Sequence, residues 1–172
     1  MKKIIIALTL LLSVTSCVEM LFEQPQPAGV KTLKQMPKAL QGSYVADEKD
    51  TLQITATSFK GFEDDKGSVL NLSENLVIKK YKKHYFVSKK HESGLWEVVI
   101  ITRDNNDNLQ FKFIDGDDEE KTKRLEQFID VETKYDSVGK AEMFIINPSK
   151  KELMGLMDKE VFEELPLLKR IK

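Results

Sequence analysis

The 172-residue sequence is poor in the residues from which metal and redox sites are built: it has one cysteine, Cys17, and two histidines, His84 and His91. A single cysteine excludes an intramolecular disulfide, CxxC redox chemistry and a cysteine-rich zinc site. The histidines stand seven residues apart with no HExxH or similar spacing, which favours surface or partly buried side chains over metal ligands. The sequence therefore predicts no metal site and no cofactor.

An excess of positive charge is also missing. The chain has 27 Lys and Arg residues against 28 Asp and Glu residues, for a formal net charge of −1. Proteins that bind nucleic acid need a basic face, because neutralising phosphates supplies most of the affinity. Here the basic residues are interleaved with acids, so nucleic acid is not an expected partner.

A serine in the Gly-x-Ser-x-Gly setting of many hydrolases is absent as well. Ser93-Gly94 beside His91 is the nearest cluster of suitable residue types, but nothing in the sequence locates the third group that would orient the histidine. A hairpin turn explains this cluster equally well. We therefore expect no enzyme activity; a hydrolase of envelope glycans or peptides remains the alternative, because paired carboxylates can come from distant parts of a chain.

One acidic segment invites comparison with a calcium loop. Asp104, Asn106 and Asn108 occupy the first, third and fifth positions of an EF-hand pattern. Leu109 stands where the pattern needs glycine, and Asp115 where it needs a bidentate glutamate. An Asx-rich hairpin turn is the better interpretation.

The N-terminus carries the most specific pattern. Two lysines precede an apolar run over residues 4–12, which is shorter than the roughly twenty residues that span a bilayer. The next motif, Val14-Thr15-Ser16-Cys17, resembles the lipobox of bacterial lipoproteins. The resemblance implies a signal peptide over residues 1–16, cleavage before Cys17, and a thiol that receives diacylglycerol.

The mature chain would then carry a formal charge of −3 and be held in membrane lipid through acylated Cys17. Val18 follows the cysteine, where an aspartate would resemble an inner-membrane retention signal, so we expect a lipid-anchored protein of the outer membrane. Whether it faces the periplasm or the cell surface stays open.

Proline marks the segment after the anchor. Residues 24–29 read QPQPAG and Pro37 follows, which predicts an extended tether over residues 17–38 and a single β-rich domain over residues 39–172. The apolar residues 20–22 could dip into the headgroups, pack on the domain, or stay mobile.

Short alternating runs separated by turn residues predict strands from Gly42 onward. The run over residues 95–101 is the most hydrophobic and predicts a central strand buried on both faces. The remaining predicted strands cover residues 51–55, 69–72, 76–81, 84–87, 109–113 and 141–146, with Lys82-Lys83 as a tight turn.

Helices are predicted late in the chain. Ser149 and Glu152 form a capping-box pattern ahead of an apolar face. Acids at residues 117–120 favour another helix start, although residues 125–135 fit a helix or a strand. The fold class is therefore mainly β with one or two helices (α+β), an antiparallel barrel or sandwich, with a C-terminal helix and then a last edge strand containing Pro166.

Gly42-Ser43-Tyr44 resembles the Gly-x-Trp opening of lipocalins, with tyrosine in place of tryptophan. The resemblance implies a barrel as one option and no particular ligand. If a cavity exists, Tyr44, Trp96 and Phe111 are the candidate ligand-binding residues, although aromatics at strand period more often pack in cores.

These patterns lead to one hypothesis and two alternatives. We expect a non-enzymatic envelope lipoprotein that binds an envelope protein or a small apolar ligand. The alternatives are the hydrolase and a structural assembly lipoprotein, which would expose an apolar patch of several hundred Å².

Overall fold

A computed structural model describes residues 18–46, 51–62 and 69–171, so the lipobox and Cys17 lie outside the described residues. Within that part of the chain there are thirteen strands and two helices. In chain order they are β1 (Glu19–Phe22), β2 (Gly42–Val45), β3 (Thr51–Ile54), β4 (Ser58–Phe62), β5 (Val69–Asn71), β6 (Leu76–Tyr81), β7 (His84–Lys90), β8 (Trp96–Arg103), β9 (Leu109–Phe113), α1 (Glu119–Leu125), β10 (Val131–Tyr135), β11 (Ala141–Ile146), α2 (Lys150–Leu156), β12 (Glu163–Glu164) and β13 (Lys169–Arg170).

The strands form two sheets. Sheet A runs in the order β10-β11-β1-β8-β7-β6, with β9 also paired to β8 and β12 to β9. Sheet B runs in the order β13-β2-β3-β4-β5. Neighbouring strands are antiparallel except β1 and β11, which are parallel. Neither sheet closes on itself, so the barrel alternative is wrong and the sandwich alternative is confirmed.

Sheet A is the middle layer of three. On β8, Val99 and Ile101 pack in the core that sheet A shares with sheet B. The alternate residues Val98 and Ile100 pack against helix residues on the opposite face. Burial on both faces explains why this run has no polar alternation, and the predicted central strand is confirmed.

The helices cover the outer face of sheet A. In α2, Ser149 and Glu152 make both hydrogen bonds of the predicted capping box, and Leu153 and Leu156 are buried. Residues 125–135, which fit a helix or a strand by sequence, include the end of a helix and a strand. Helix α1 ends at Leu125, and β10 begins at Val131. The last strand, β13, lies at the edge of sheet B as expected, but it covers only Lys169–Arg170, so the expectation that it contains Pro166 is wrong.

The predicted tether over residues 17–38 is wrong for the described residues from 18 onward. β1 lies inside sheet A between β11 and β8, and its residues Met20, Leu21 and Phe22 are all buried. The alternative that this apolar segment packs on the domain is therefore the correct one. The described fold therefore already includes Val18, the residue that follows the cysteine in the sequence.

Residues 23–41, here called the strap, bind along the sheets and do not extend away from them. The N–H of Gln26 donates to Ser88 Oγ at 3.1 Å. Lys79 Nζ donates to the carbonyls of Pro25 and Pro27 at 2.6 and 3.1 Å. A proline-rich segment can pack against a sheet because proline has no N–H that burial would leave unpaired. Here the proline carbonyls also accept hydrogen bonds from the buried Lys79.

Candidate functional site

An open cleft with a volume of about 620 Å³ lies between the helix layer and one end of sheet A. Its residues come from the β6–β7 turn, from β7, β8, β9 and β12, and from the C-terminal part of α2 and the residues after it. They are Lys82, Lys83, His84, Thr102, Gln110, Lys112, Met154, Met157, Asp158 and Glu164. This volume falls within the range typical of small-molecule sites.

His84 is the buried histidine of the cleft, with 6% of its surface exposed. Its Nδ1 lies 3.1 Å from Thr102 Oγ1, and its ring meets Phe86 edge-on. Burial lowers the pKa of His84. Three neighbouring lysines lower this pKa further: Lys83, Lys112 and Lys82. The imidazole is therefore neutral at pH 7 and can exchange one hydrogen bond with a ligand.

The cationic residues of the cleft differ in their partners. Lys112 pairs with Glu164. Lys82 and Lys83 are exposed at the β6–β7 turn, where Lys82 takes a left-handed backbone conformation with φ 54°. Within the described residues, Lys83 makes no ion pair. The turn therefore presents two ammonium groups that an anion can approach.

Methionine supplies the apolar side of the cleft. Leu153 and Leu156 point into the core, while Met154 and Met157 are half-buried and line the cleft. Methionine is flexible and polarisable, so it adapts to apolar ligands of irregular shape. Asp158, next to Met157, adds one carboxylate to the lining. The cleft thus combines two exposed ammonium groups, a neutral imidazole and two thioethers.

The aromatic candidates are not brought together. Tyr44 is fully buried between the sheets, where its hydroxyl donates to the carbonyl of Leu40 at 2.9 Å. Phe111 lies in the same core, whereas Trp96 packs against the core on the opposite face of sheet A. None of these three residues lines the cleft.

The second histidine has a triad-like setting that the sequence does not reveal. Ser93 Oγ lies 2.8 Å from His91 Nδ1, and Glu19 Oε2 lies 3.3 Å from His91 Nε2. The Ser93 N–H donates to His91 Nδ1, and the Gly94 N–H donates to the His91 carbonyl. The N–H groups of Ser93 and Gly94 are the nearest backbone donors to the serine hydroxyl. Because both already donate to His91, neither can stabilise an oxyanion there. The contacts join the β7–β8 turn to β1.

The predicted Asx turn is confirmed. Asp104 Oδ1 accepts hydrogen bonds from the N–H groups of Asn106 and Asn108, each at 2.8 Å. The other oxygen, Asp104 Oδ2, accepts from Asn108 Nδ2 at 2.9 Å, so both carboxylate oxygens bind within the turn. In the part of the chain that the structure describes, no group of three or more His, Cys, Asp or Glu side chains could hold a metal.

Sequence reasoning identified neither the cleft nor its lysines. The prediction of a turn at Lys82-Lys83 is correct. The prediction that His84 is a surface or partly buried histidine is wrong, because His84 is buried. Their meeting with Met154 and Met157 depends on how α2 packs across sheet A, about seventy residues later in the chain. The one local sequence feature that indicates the cleft is the pair of lysines in the hairpin turn, which is followed directly by histidine.

None of the helices over residues 18–46, 51–62 and 69–171 is long and apolar enough to cross a membrane. Comparison with known proteins finds no match to this chain among protein-family profiles, curated proteins or solved structures.

Proposed function

We propose that this protein is an envelope lipoprotein, anchored in the outer membrane through acylated Cys17, whose cleft binds a small amphiphile with an anionic group. The lipobox supports the anchor. The single observation that carries the binding role is a cleft in which exposed lysines stand beside methionines and a buried, neutral histidine. No enzymatic step is part of the proposal.

The charges of the cleft favour one class of ligand. Lys82 and Lys83 attract a carboxylate or phosphate, and His84 adds one hydrogen bond at the inner end of that group. Asp158 repels ligands that carry several negative charges. Met154 and Met157 accept an alkyl chain, because burying each methylene contributes about 0.8 kcal/mol. A singly anionic head group on an apolar chain fits these conditions.

Methionine NMR tests the proposal directly. A chain that starts at Val18 keeps the assay free of membrane lipid, since every described element follows that residue. We expect a fatty acid, whose carboxylate carries a single negative charge at pH 7, to shift the methyl signals of Met154 and Met157, and an uncharged alkyl glycoside of the same chain length to bind more weakly.

Charge reversal supplies the matched control. Lys83→Glu should weaken binding of the fatty acid about five- to tenfold, the effect of one partly screened ion pair. Lys90→Glu, at an exposed residue of β7 outside the cleft, should leave binding unchanged. Equal affinity of both variants, or equal shifts with the charged and uncharged amphiphiles, would contradict the proposed ligand class.

A further inference from the structure

The register of β1 against β11 places one hairpin beside the lipid anchor. These strands run parallel, with Glu19 opposite Met143 and Phe22 opposite Ile146. β1 and β11 therefore begin at the same end of sheet A. Residues 136–140, which join β10 to β11, project beyond that end, next to the start of β1.

The position of Val18 is fixed by contacts with the loop after β9. Its N–H donates to Asp117 Oδ1 at 2.8 Å. Its carbonyl packs so closely against Gly116 that a Cβ at that glycine would lie 2.1 Å from the oxygen. Adjacent Cα atoms are about 3.8 Å apart, so the acyl chains on Cys17 would start within a few ångström of the sheet.

The hairpin tip presents apolar side chains to the outside. Val138 and Tyr135 are 84% and 65% exposed, the highest values among the large apolar residues that the structure describes. The turn between them is ordered, because Asp136 Oδ1 accepts hydrogen bonds from the N–H groups of Val138 and Lys140, each at 2.9 Å. This hydrogen-bonded turn therefore keeps Val138 in an exposed position.

We propose that the β10–β11 hairpin tip inserts Val138 and the Tyr135 ring into the headgroup region of the bilayer that holds the anchor. This inference rests on the lipid anchoring in the proposed function. Tyrosine suits the membrane interface because its ring is apolar and its hydroxyl polar. The hairpin carries acids at Glu132, Asp136 and Glu142 and bases at Lys134 and Lys140. Because these charges nearly cancel, the contact with the bilayer depends on the apolar side chains and should be insensitive to salt.

A spin label at Ser137 measures the depth of the tip without replacing Val138. Once Cys17 is acylated, the variant Ser137→Cys carries a single free thiol in the full chain. The lipidated protein, its acylation verified by mass, is reconstituted in vesicles of phosphatidylethanolamine and phosphatidylglycerol. We expect the label to collide more often with dissolved oxygen than with a water-soluble nickel chelate. Adding Val138→Asp should reverse that order.

The matched control is Asp130→Cys, at an exposed residue just before β10 and roughly 20 Å away along the same hairpin. Its label should stay accessible to the nickel chelate. If an acylated protein shows the same nickel accessibility at residues 137 and 130, or if Val138→Asp changes nothing, the hairpin contact is wrong while the anchor stands. A protein without acyl chains would overturn both proposals.

Discussion

His84 makes the stability of the domain depend on pH. Burial lowers its folded pKa, with a further lowering from nearby lysines, whereas in the unfolded chain it titrates near its ordinary value of about 6.5. The unfolded state therefore takes up the proton first as pH falls. Stability is fully present above about pH 6.5 and is lost as the pH drops below that value.

Replacing this histidine should remove that dependence. Asn can keep the hydrogen bond to Thr102 Oγ1 through its side-chain amide. We expect urea denaturation between about pH 8 and about pH 5 to show a smaller loss of stability for His84→Asn than for the natural protein. Parallel losses in the two proteins would mean that His84 titrates alike in the folded and unfolded states.

Single residues also show where sequence reasoning ends. On β6, Lys79 alternates with Leu76 and Ile78 as a solvent-facing residue should, and the alternation correctly predicts the strand. Lys79 is nevertheless only 7% exposed. It is covered by the strap, whose Pro25 carbonyl is 54 residues distant in sequence. The alternation of polar and apolar residues within a strand contains no information about contacts with residues so distant in the sequence.

Among the elements, β1 is the one whose placement decides the architecture. Its short apolar sequence lies beside a proline-rich segment, and those prolines favoured a tether. In the structure, β1 fills the position between β11 and β8 and buries Met20 and Phe22 against the helix layer. β4 was also missed, because Gly61 and the polar residues around Phe59 weaken its alternation. Strands with clean alternation, such as β9, were predicted with correct bounds.

The loop contact that holds β1 can be tested at one glycine. In Gly116→Ala the new Cβ would lie 2.1 Å from the Val18 carbonyl oxygen, which is backbone and cannot rotate away. We expect a loss of about 1 to 3 kcal/mol in the free energy of unfolding, and faster amide hydrogen exchange in β1, measured by mass spectrometry.

Gly155 in α2 provides the matched control, because a Cβ there would have no heavy atom within 4 Å. Gly155→Ala should stabilise the domain by roughly 0.5 to 1 kcal/mol through helix propensity. If Gly116→Ala were as stable as Gly155→Ala, with β1 equally protected, the docked position of β1 would be incorrect.

For the whole molecule, the three layers make the N-terminus part of the fold. Because β1 sits in the middle of sheet A, an acyl anchor at Cys17 would join the sheet without a flexible spacer. One end of the domain would then face the bilayer, with the β10–β11 hairpin beside the anchor. The fold class and most strands were readable from sequence periodicity, whereas this arrangement depends on pairing between residues more than a hundred positions apart.

Both proposals depend on acylation of Cys17, and the mass of the N-terminal peptide shows whether that acylation occurs. The full chain, expressed in a bacterium and recovered from the membrane fraction, should begin at Cys17 and carry diacylglycerol on the thiol. The Cys17→Ser variant should lose both the modification and the membrane association. A natural protein that retains Met1, or that begins elsewhere with an unmodified Cys17, would contradict the account.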